Sequence, residues 1–132
     1  QKYAKQVIIN AKALASGLVA EGMRAISGGT ETHLALIDVT GAGVTGKVAD
    51  ERCGAAGITL NKNSIPFDSN PPAVTSGIRV GTPSTTTQGM GVDEMAIIAQ
   101  LITRAIKTDE AVEHAKIKSE VQSLVAKFPI YA

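Results

Sequence analysis

The sequence predicts an α+β fold, a small sandwich in which helices pack on one face of a short, mostly antiparallel sheet. Four segments space their apolar residues as amphipathic helices do, and the strand-like segments are short. The elements follow one another as helix, two strands, helix, two short strands and two helices. Strands that come in runs favour an α+β sandwich over a doubly wound sheet. The 132 residues have the length of a single domain, 1–132.

The first helix is expected to run from the first residues to about Ala20, and Gly22 supplies its stop. Its apolar residues at helical spacing are Tyr3, Val7, Ala11, Leu14 and Leu18. Neither Gln1 nor Lys2 is an N-cap residue. A helix that begins without a cap suggests a chain cut out of something longer.

Two strands are expected next. Residues 23–27 form the first, closed by the turn Gly28-Gly29-Thr30. Residues 33–39 form the second and are almost continuously apolar, which is typical of a strand covered on both faces. A glycine-containing loop then leads into a helix that Thr45 caps and Gly57 ends.

The second half begins with a short strand predicted at residues 58–60. Residues 61–75 are long, irregular and stiffened by three prolines, and irregular segments of about 12–15 residues or more are usually functional or disordered. Residues 76–82 are expected to form a strand, and residues 90–106 a strongly amphipathic helix. Residues 112–127 are the last helix, which Pro129 stops.

Composition excludes several classes of protein. The formal net charge is +1, and both signs are spread over the two halves of the chain, so no cationic cluster favours nucleic acid or an anionic membrane. Aromatic residues make up 3%, too few for base-stacking platforms. A single cysteine gives neither a disulfide framework nor a cysteine-based zinc site, and no apolar run reaches the ~20 residues of a membrane span. These features indicate a soluble cytoplasmic protein.

Residues 41–47 match the pattern G-x-x-x-x-G-K of a phosphate-binding loop, and they also match G-x-G-x-x-G. The position after the lysine should be serine or threonine to hold Mg²⁺, and here it is Val48. No acidic residue lies ~20 positions further on to bind a ribose. We therefore interpret the segment as a glycine-rich connection between a strand and a helix.

The histidines, the cysteine and two lysines are not expected to have catalytic or metal-binding roles. His33 is expected to be a structural histidine and His114 a solvated one, because neither has a second metal ligand at suitable spacing. Cys53 is expected in the core rather than as a nucleophile. Lys47 and Lys62 have nothing near them in sequence that would lower their pKa for Schiff-base chemistry. No catalytic residue and no metal ligand is assigned.

Arg79 is the candidate ligand-binding residue. In a strand, Ile78 and Val80 point to one face and Arg79 to the other, where Gly77 and Gly81 are expected to leave open space. A guanidinium in that position is suited to bind a carboxylate through two parallel bonds. The alternative is a surface arginine in a salt bridge.

Two motifs reveal a family resemblance. Residues 61–68 read NKNSIPFD, and residues 75–83 read TSGIRVGTP. Together with SGGT at 27–30, LIDV at 36–39 and TGK at 45–47, they closely resemble the C-terminal part of serine hydroxymethyltransferases. The resemblance spans about residues 3–106.

This resemblance implies the small C-terminal sandwich domain of a pyridoxal-phosphate transferase of the aspartate-aminotransferase fold type. The family interconverts serine and tetrahydrofolate with glycine and 5,10-methylenetetrahydrofolate, in one-carbon metabolism and the biosynthesis of glycine and other amino acids. A large N-terminal domain carries the Schiff-base lysine and most of the cofactor site, so the chain is expected to be an enzyme fragment, inactive alone. A cytoplasmic homodimer or homotetramer is expected for the full enzyme.

The resemblance also assigns site residues. Arg79 corresponds to the residue that binds the amino-acid carboxylate, and Asn63 to one that contacts the folate pterin. Pro71-Pro72-Ala73 corresponds to a Ser-Pro-Phe stretch associated with folate, in which only Pro72 matches. Two other classes remain as alternatives: a nucleotide-binding domain that uses residues 41–47, and a stand-alone ligand-binding or interaction module without catalysis.

Overall fold

The computed structural model describes residues 2–26, 34–58, 60–66, 68–81 and 91–127. In that part of the chain, four α-helices and four strands occur in the predicted order. Their bounds are α1 Lys2–Ala20, β1 Arg24–Ala25, β2 Leu34–Asp38, α2 Gly46–Ala55, β3 Asn61–Asn63, β4 Gly77–Gly81, α3 Val92–Ile106 and α4 Ala111–Ala126. A 3₁₀ turn, Thr40–Ala42, precedes α2.

The strands form one antiparallel sheet in the order β1-β2-β4-β3. The central pair is β2 with β4, in a register that places Ile37 opposite Ile78. Both side chains are fully buried under the helices. The predicted α+β class with an antiparallel sheet is therefore confirmed.

The helices form the second layer, and α1 packs most closely on α3. Gly17 of α1 permits this approach, because a Cβ built there would lie only 2.7 Å from Cβ of Ala99. The apolar stripes of α1 and α3 supply a large part of the core, and their burial contributes roughly 25 cal/mol per Å² of apolar surface removed from water. None of the helices that the structure describes has the length and apolar character needed to cross a membrane.

Local signals in the sequence place the ends of the elements well. The Thr45 hydroxyl accepts a hydrogen bond from the Val48 N–H at 3.3 Å and caps α2 as expected. Gly22 and Gly57 follow α1 and α2 with φ values of +99° and +79°, which glycine adopts without steric cost. The predicted turn at residues 28–30, together with His33, Thr59 and Pro129, lies outside the described residues.

Two expectations are wrong. Ile58 and Leu60 do not form the strand expected at residues 58–60. The Ile58 N–H instead donates to the Cys53 carbonyl at 2.8 Å and completes the end of α2. The edge strand is instead the polar segment Asn61–Asn63. His114 is not solvated but 5% exposed, and its Nε2 lies 3.1 Å from the Ala105 carbonyl oxygen, so it joins α4 to α3.

Candidate functional site

The sheet has a second face, which lies opposite the helices. Antiparallel partners share a face, so the register places Arg79 between Leu36 of β2 and Asn61 of β3. The next row along the same face contains Asp38 and Asn63, which flank Gly77. We call this surface the site face. It brings Arg79 and Asn63 together on one side of the sheet.

Arg79 lies on the site face because strand alternation leaves it no other position. Its neighbours Ile78 and Val80 are 0% and 6% exposed on the helix side, whereas Arg79 itself is exposed. Among the described residues, its side chain has no hydrogen-bond or ion-pair partner. The predicted orientation of the guanidinium away from the core is thus present.

A second arginine on the site face is already paired. Arg24 of β1 lies beside Asp38 of β2, and its Nη2 is 2.9 Å from Asp38 Oδ2. Burial by itself raises the pKa of Asp38, but hydrogen bonds from the Thr40 hydroxyl and N–H, together with Arg24, outweigh it and lower that pKa. The charge of Arg24 is therefore compensated within the chain, whereas Arg79 has no such partner among the described residues.

The open space expected beside Arg79 is absent at Gly77. A Cβ on Gly77 would lie 2.7 Å from Cγ2 of Ile65 and 2.8 Å from the Asn63 carbonyl oxygen. The glycine is therefore required by a close approach of the preceding loop rather than by a ligand. The surroundings of Gly81 lie outside what the structure describes.

We refer to residues 64–76, between β3 and β4, as the proline loop. The Asp68 carboxylate organises it. Oδ2 accepts the N–H groups of Ile65 at 3.2 Å and Ser76 at 2.8 Å, while Oδ1 accepts the Asn70 N–H at 2.8 Å and the Ser76 hydroxyl at 2.6 Å. The Asn70 side chain in turn donates to the Ser76 hydroxyl at 2.8 Å.

These contacts keep Asp68 ionised. The hydrogen bond from the Ser76 hydroxyl, helped by the backbone N–H groups of Asn70, Ser76 and Ile65, lowers the pKa of Asp68 to about 2 against the opposing effect of desolvation. Sequence reasoning did not single out this residue. The signal was its spacing to Asn70, since aspartate commonly accepts the N–H two residues further on.

Of the two predicted folate contacts, one lies just before the proline loop and the other within it. Asn63 ends β3, is half-buried, and donates from Nδ2 to the Ser64 carbonyl at 2.9 Å. Pro72 is exposed in a turn in which the N–H groups of Val74 and Thr75 both donate to the Pro71 carbonyl at 2.9 Å. Asn63 lies on the site face, and Pro72 lies in the proline loop next to it.

The glycine-rich segment 41–47 does not provide a phosphate site. The first four N–H groups of α2 are all used within the chain. Gly46 donates to the Thr75 carbonyl at 3.1 Å, Lys47 to the Val74 carbonyl at 2.9 Å, and Val48 and Ala49 to the hydroxyl and carbonyl of Thr45. With no N–H group free, this helix terminus lacks what a nucleotide phosphate requires.

The two lysines considered for Schiff-base chemistry lie away from the site face or at the surface. Lys62 alternates with Asn61 and Asn63 and therefore does not share the site face. Lys47 is exposed at the start of α2. No group of three His, Cys, Asp or Glu side chains that could hold a metal ion occurs in residues 2–26, 34–58, 60–66, 68–81 and 91–127.

Cys53 is fully buried in α2, and burial, with a smaller effect of the Asp50 charge, raises the pKa of its thiol to about 12. Because the thiolate is the reactive form, we expect iodoacetamide at pH 8 to leave Cys53 unmodified in the folded protein and to alkylate it fully in urea. Peptide mass spectrometry measures both. Stoichiometric alkylation of the folded protein would contradict this placement.

Comparison with known proteins identifies the family of the chain. The family model of serine hydroxymethyltransferase matches residues 1–102. A protein of Desulforapulum autotrophicum named serine hydroxymethyltransferase is 48% identical over 130 residues, which are 98% of this chain and 31% of that relative. The chain thus spans about a third of the length of this relative. Since the family match covers well over half of its residues, the chain belongs to the serine hydroxymethyltransferase family.

Proposed function

We propose that the chain is the small C-terminal domain of an enzyme that interconverts serine and tetrahydrofolate with glycine and 5,10-methylenetetrahydrofolate. Membership of the family makes it part of a transferase of one-carbon metabolism. The observation that carries the proposal is the position of Arg79, exposed on the site face with no partner among the described residues. Its role is to bind the carboxylate of serine or glycine.

A guanidinium is suited to that task. Its planar fork donates two parallel hydrogen bonds to a carboxylate, which fixes the orientation of the amino acid as well as its position. The strand holds the backbone of Arg79 on both sides, through Leu36 and Asn61. Asn63, in the next row, offers its side-chain amide to the folate pterin, and Pro72 of the proline loop provides an apolar contact to the same co-substrate.

Pyridoxal phosphate is the cofactor that the family implies, and the described residues do not fit it. Such a site needs a lysine and a phosphate cradle. The first four N–H groups of α2 are already bonded, Lys47 is exposed, and Lys62 does not share the site face. We therefore propose that a large N-terminal domain outside this sequence holds the cofactor.

The site face also suggests where that domain docks. Leu36 is only partly buried by the described chain, although its strand is almost entirely apolar. A strand of this kind is typical of a sheet covered on both faces. We propose that the cofactor domain lies over the site face, and that the full enzyme is a cytoplasmic homodimer or homotetramer.

Comparison of the 132-residue chain with the longer enzyme tests this division of labour. We expect the chain alone to form no borohydride-reducible adduct with pyridoxal phosphate and to produce no 5,10-methylenetetrahydrofolate from serine and tetrahydrofolate. The longer enzyme should do both. Absorbance spectra before and after borohydride, with a coupled assay of the product, are the measurements.

A stoichiometric adduct on one lysine of the isolated chain would contradict the proposal. The stand-alone module makes a different prediction, namely that the isolated chain binds serine or glycine by itself with the affinity of the longer protein. Isothermal titration of both proteins separates the two functions. Substitution of Arg79 in the longer enzyme then tests the assignment of the site.

A further inference from the structure

One carboxylate holds the two ends of the proline loop together. We propose that Asp68 is a positioning residue for the folate half of the site, which consists of Asn63 and Pro72. Asp68 fixes the proline loop, which adjoins Asn63 and carries Pro72. The inference rests on the proposed function, because it assumes that Asn63 and Pro72 contact the folate. Asp68 is not one of the residues proposed to contact the amino acid or the folate, so its role is in addition to theirs.

The two oxygens of Asp68 fix different parts of the loop. Oδ2 joins the N–H groups of Ile65 and Ser76, which lie near the beginning and at the end of the loop. Oδ1 joins Asn70 to the Ser76 hydroxyl. Removal of the carboxylate therefore leaves four donors without their acceptor at once. Unmade bonds to a charged acceptor are among the costly losses for a folded segment.

Other contacts hold the far side of the loop independently. The carbonyls of Val74 and Thr75 accept the N–H groups of Lys47 and Gly46 at the start of α2. Loss of Asp68 should therefore act mainly on residues 64–70, which adjoin Asn63 and lead into Pro72, rather than on the whole loop. Asn63 itself ends a strand of only three residues.

The amino-acid half of the site does not depend on Asp68. Arg79 lies in the middle of β4, where it pairs with Leu36 on one side and Asn61 on the other. Five residue pairs with β2 fix the strand without any contribution from the loop. A positioning role of Asp68 thus predicts a selective effect, in which affinity for folate falls and affinity for the amino acid does not.

The test is made in the full-length holoenzyme with Asp68→Ala. Isothermal titration with tetrahydrofolate should show a Kd raised about tenfold or more, while the Kd for glycine changes less than about threefold. Asp68→Asn is the conservative variant. Its Oδ1 can accept from the Ile65 and Ser76 N–H groups, while its Nδ2 donates to the Ser76 hydroxyl. The bond from the Asn70 N–H is then lost and the bond with the Ser76 hydroxyl is reversed, so folate affinity should recover in part.

Ser76→Ala provides a second variant if the alanine at position 68 prevents folding. It removes one of the four bonds to Asp68, together with the bond from the Asn70 side chain, and should raise the Kd for tetrahydrofolate about threefold without changing that for glycine. Ile117→Val is the stability control. This residue is fully buried in α4, and its truncation should lower Tm while leaving both affinities unchanged.

Asn63→Ala separates the two proposals. If Asn63→Ala weakens tetrahydrofolate binding and the Asp68 and Ser76 variants do not, the positioning role is overturned and the proposed function stands. If Asn63→Ala leaves folate affinity unchanged, the folate part of the proposed function fails, and the inference fails with it. Equal loss of both affinities in Asp68→Ala, in proportion to a lower Tm, would mark Asp68 as purely structural and also overturn the inference.

Discussion

Replacement of Arg79 by alanine in the longer enzyme is expected to reduce kcat/KM for serine by about 30-fold to several thousand-fold. Loss of one partner of a hydrogen-bonded charge pair costs ~2–5 kcal/mol, and ~1.4 kcal/mol corresponds to a factor of ten. The substrate carboxylate would lose the Arg79 guanidinium. Arg24 cannot replace it, because Arg24 is bound to Asp38. Steady-state kinetics with varied serine measure the loss, and the cofactor content of the variant should match that of the parent.

Two variants give this result its meaning. Arg79→Lys keeps the charge but loses the planar fork, so it should recover part of the binding and little of the orientation, with kcat/KM well below that of the parent. Arg24→Ala is the matched control, because it removes an arginine from the same face of the sheet. We expect less than a tenfold effect there. Unchanged kcat/KM in Arg79→Ala, or equal losses in Arg24→Ala, would refute the carboxylate role.

The side of the sheet on which Arg79 lies could be predicted because strand alternation is a local rule. Once Ile78 and Val80 are assigned to the core, Arg79 must point the other way. Helix ends were predictable for the same reason, since the Thr45 cap and the φ of Gly57 depend on a few neighbouring residues. The α+β class followed from the order of such local elements.

Features that depend on distant partners could not be predicted in this way. Asn61–Asn63 is polar and has no apolar alternation, and it forms a strand because β4 offers an edge with which it pairs. His114 is buried because α3 packs across it. Its Nε2 lies 3.1 Å from the Ala105 carbonyl oxygen. The space beside Gly77 is filled because the proline loop folds back and places Ile65 there.

Among the glycines that the structure describes, Gly46, at the contact between α2 and the proline loop, has the least room for an added Cβ. A Cβ on Gly46 would overlap Oγ1 of Thr75 and the carbonyl oxygen of Gly77. Thr75 itself has little freedom to move, because its φ is +60° and its carbonyl accepts the Gly46 N–H. Gly46 is thus the residue that lets the start of α2 lie directly against the loop and β4.

Gly46→Ala should therefore destabilise the protein by about 1–3 kcal/mol, the usual cost of overpacking, although alanine is the better helix former. Gly54→Ala is the matched control in the same helix, because a Cβ there meets nothing within 4 Å and no unusual φ is required. It should stabilise the protein by about 0.5–1 kcal/mol. Urea unfolding followed by circular dichroism gives both free energies. Since helix propensity alone predicts stabilisation for both variants, opposite signs would demonstrate the steric contact, and equal signs would rule it out.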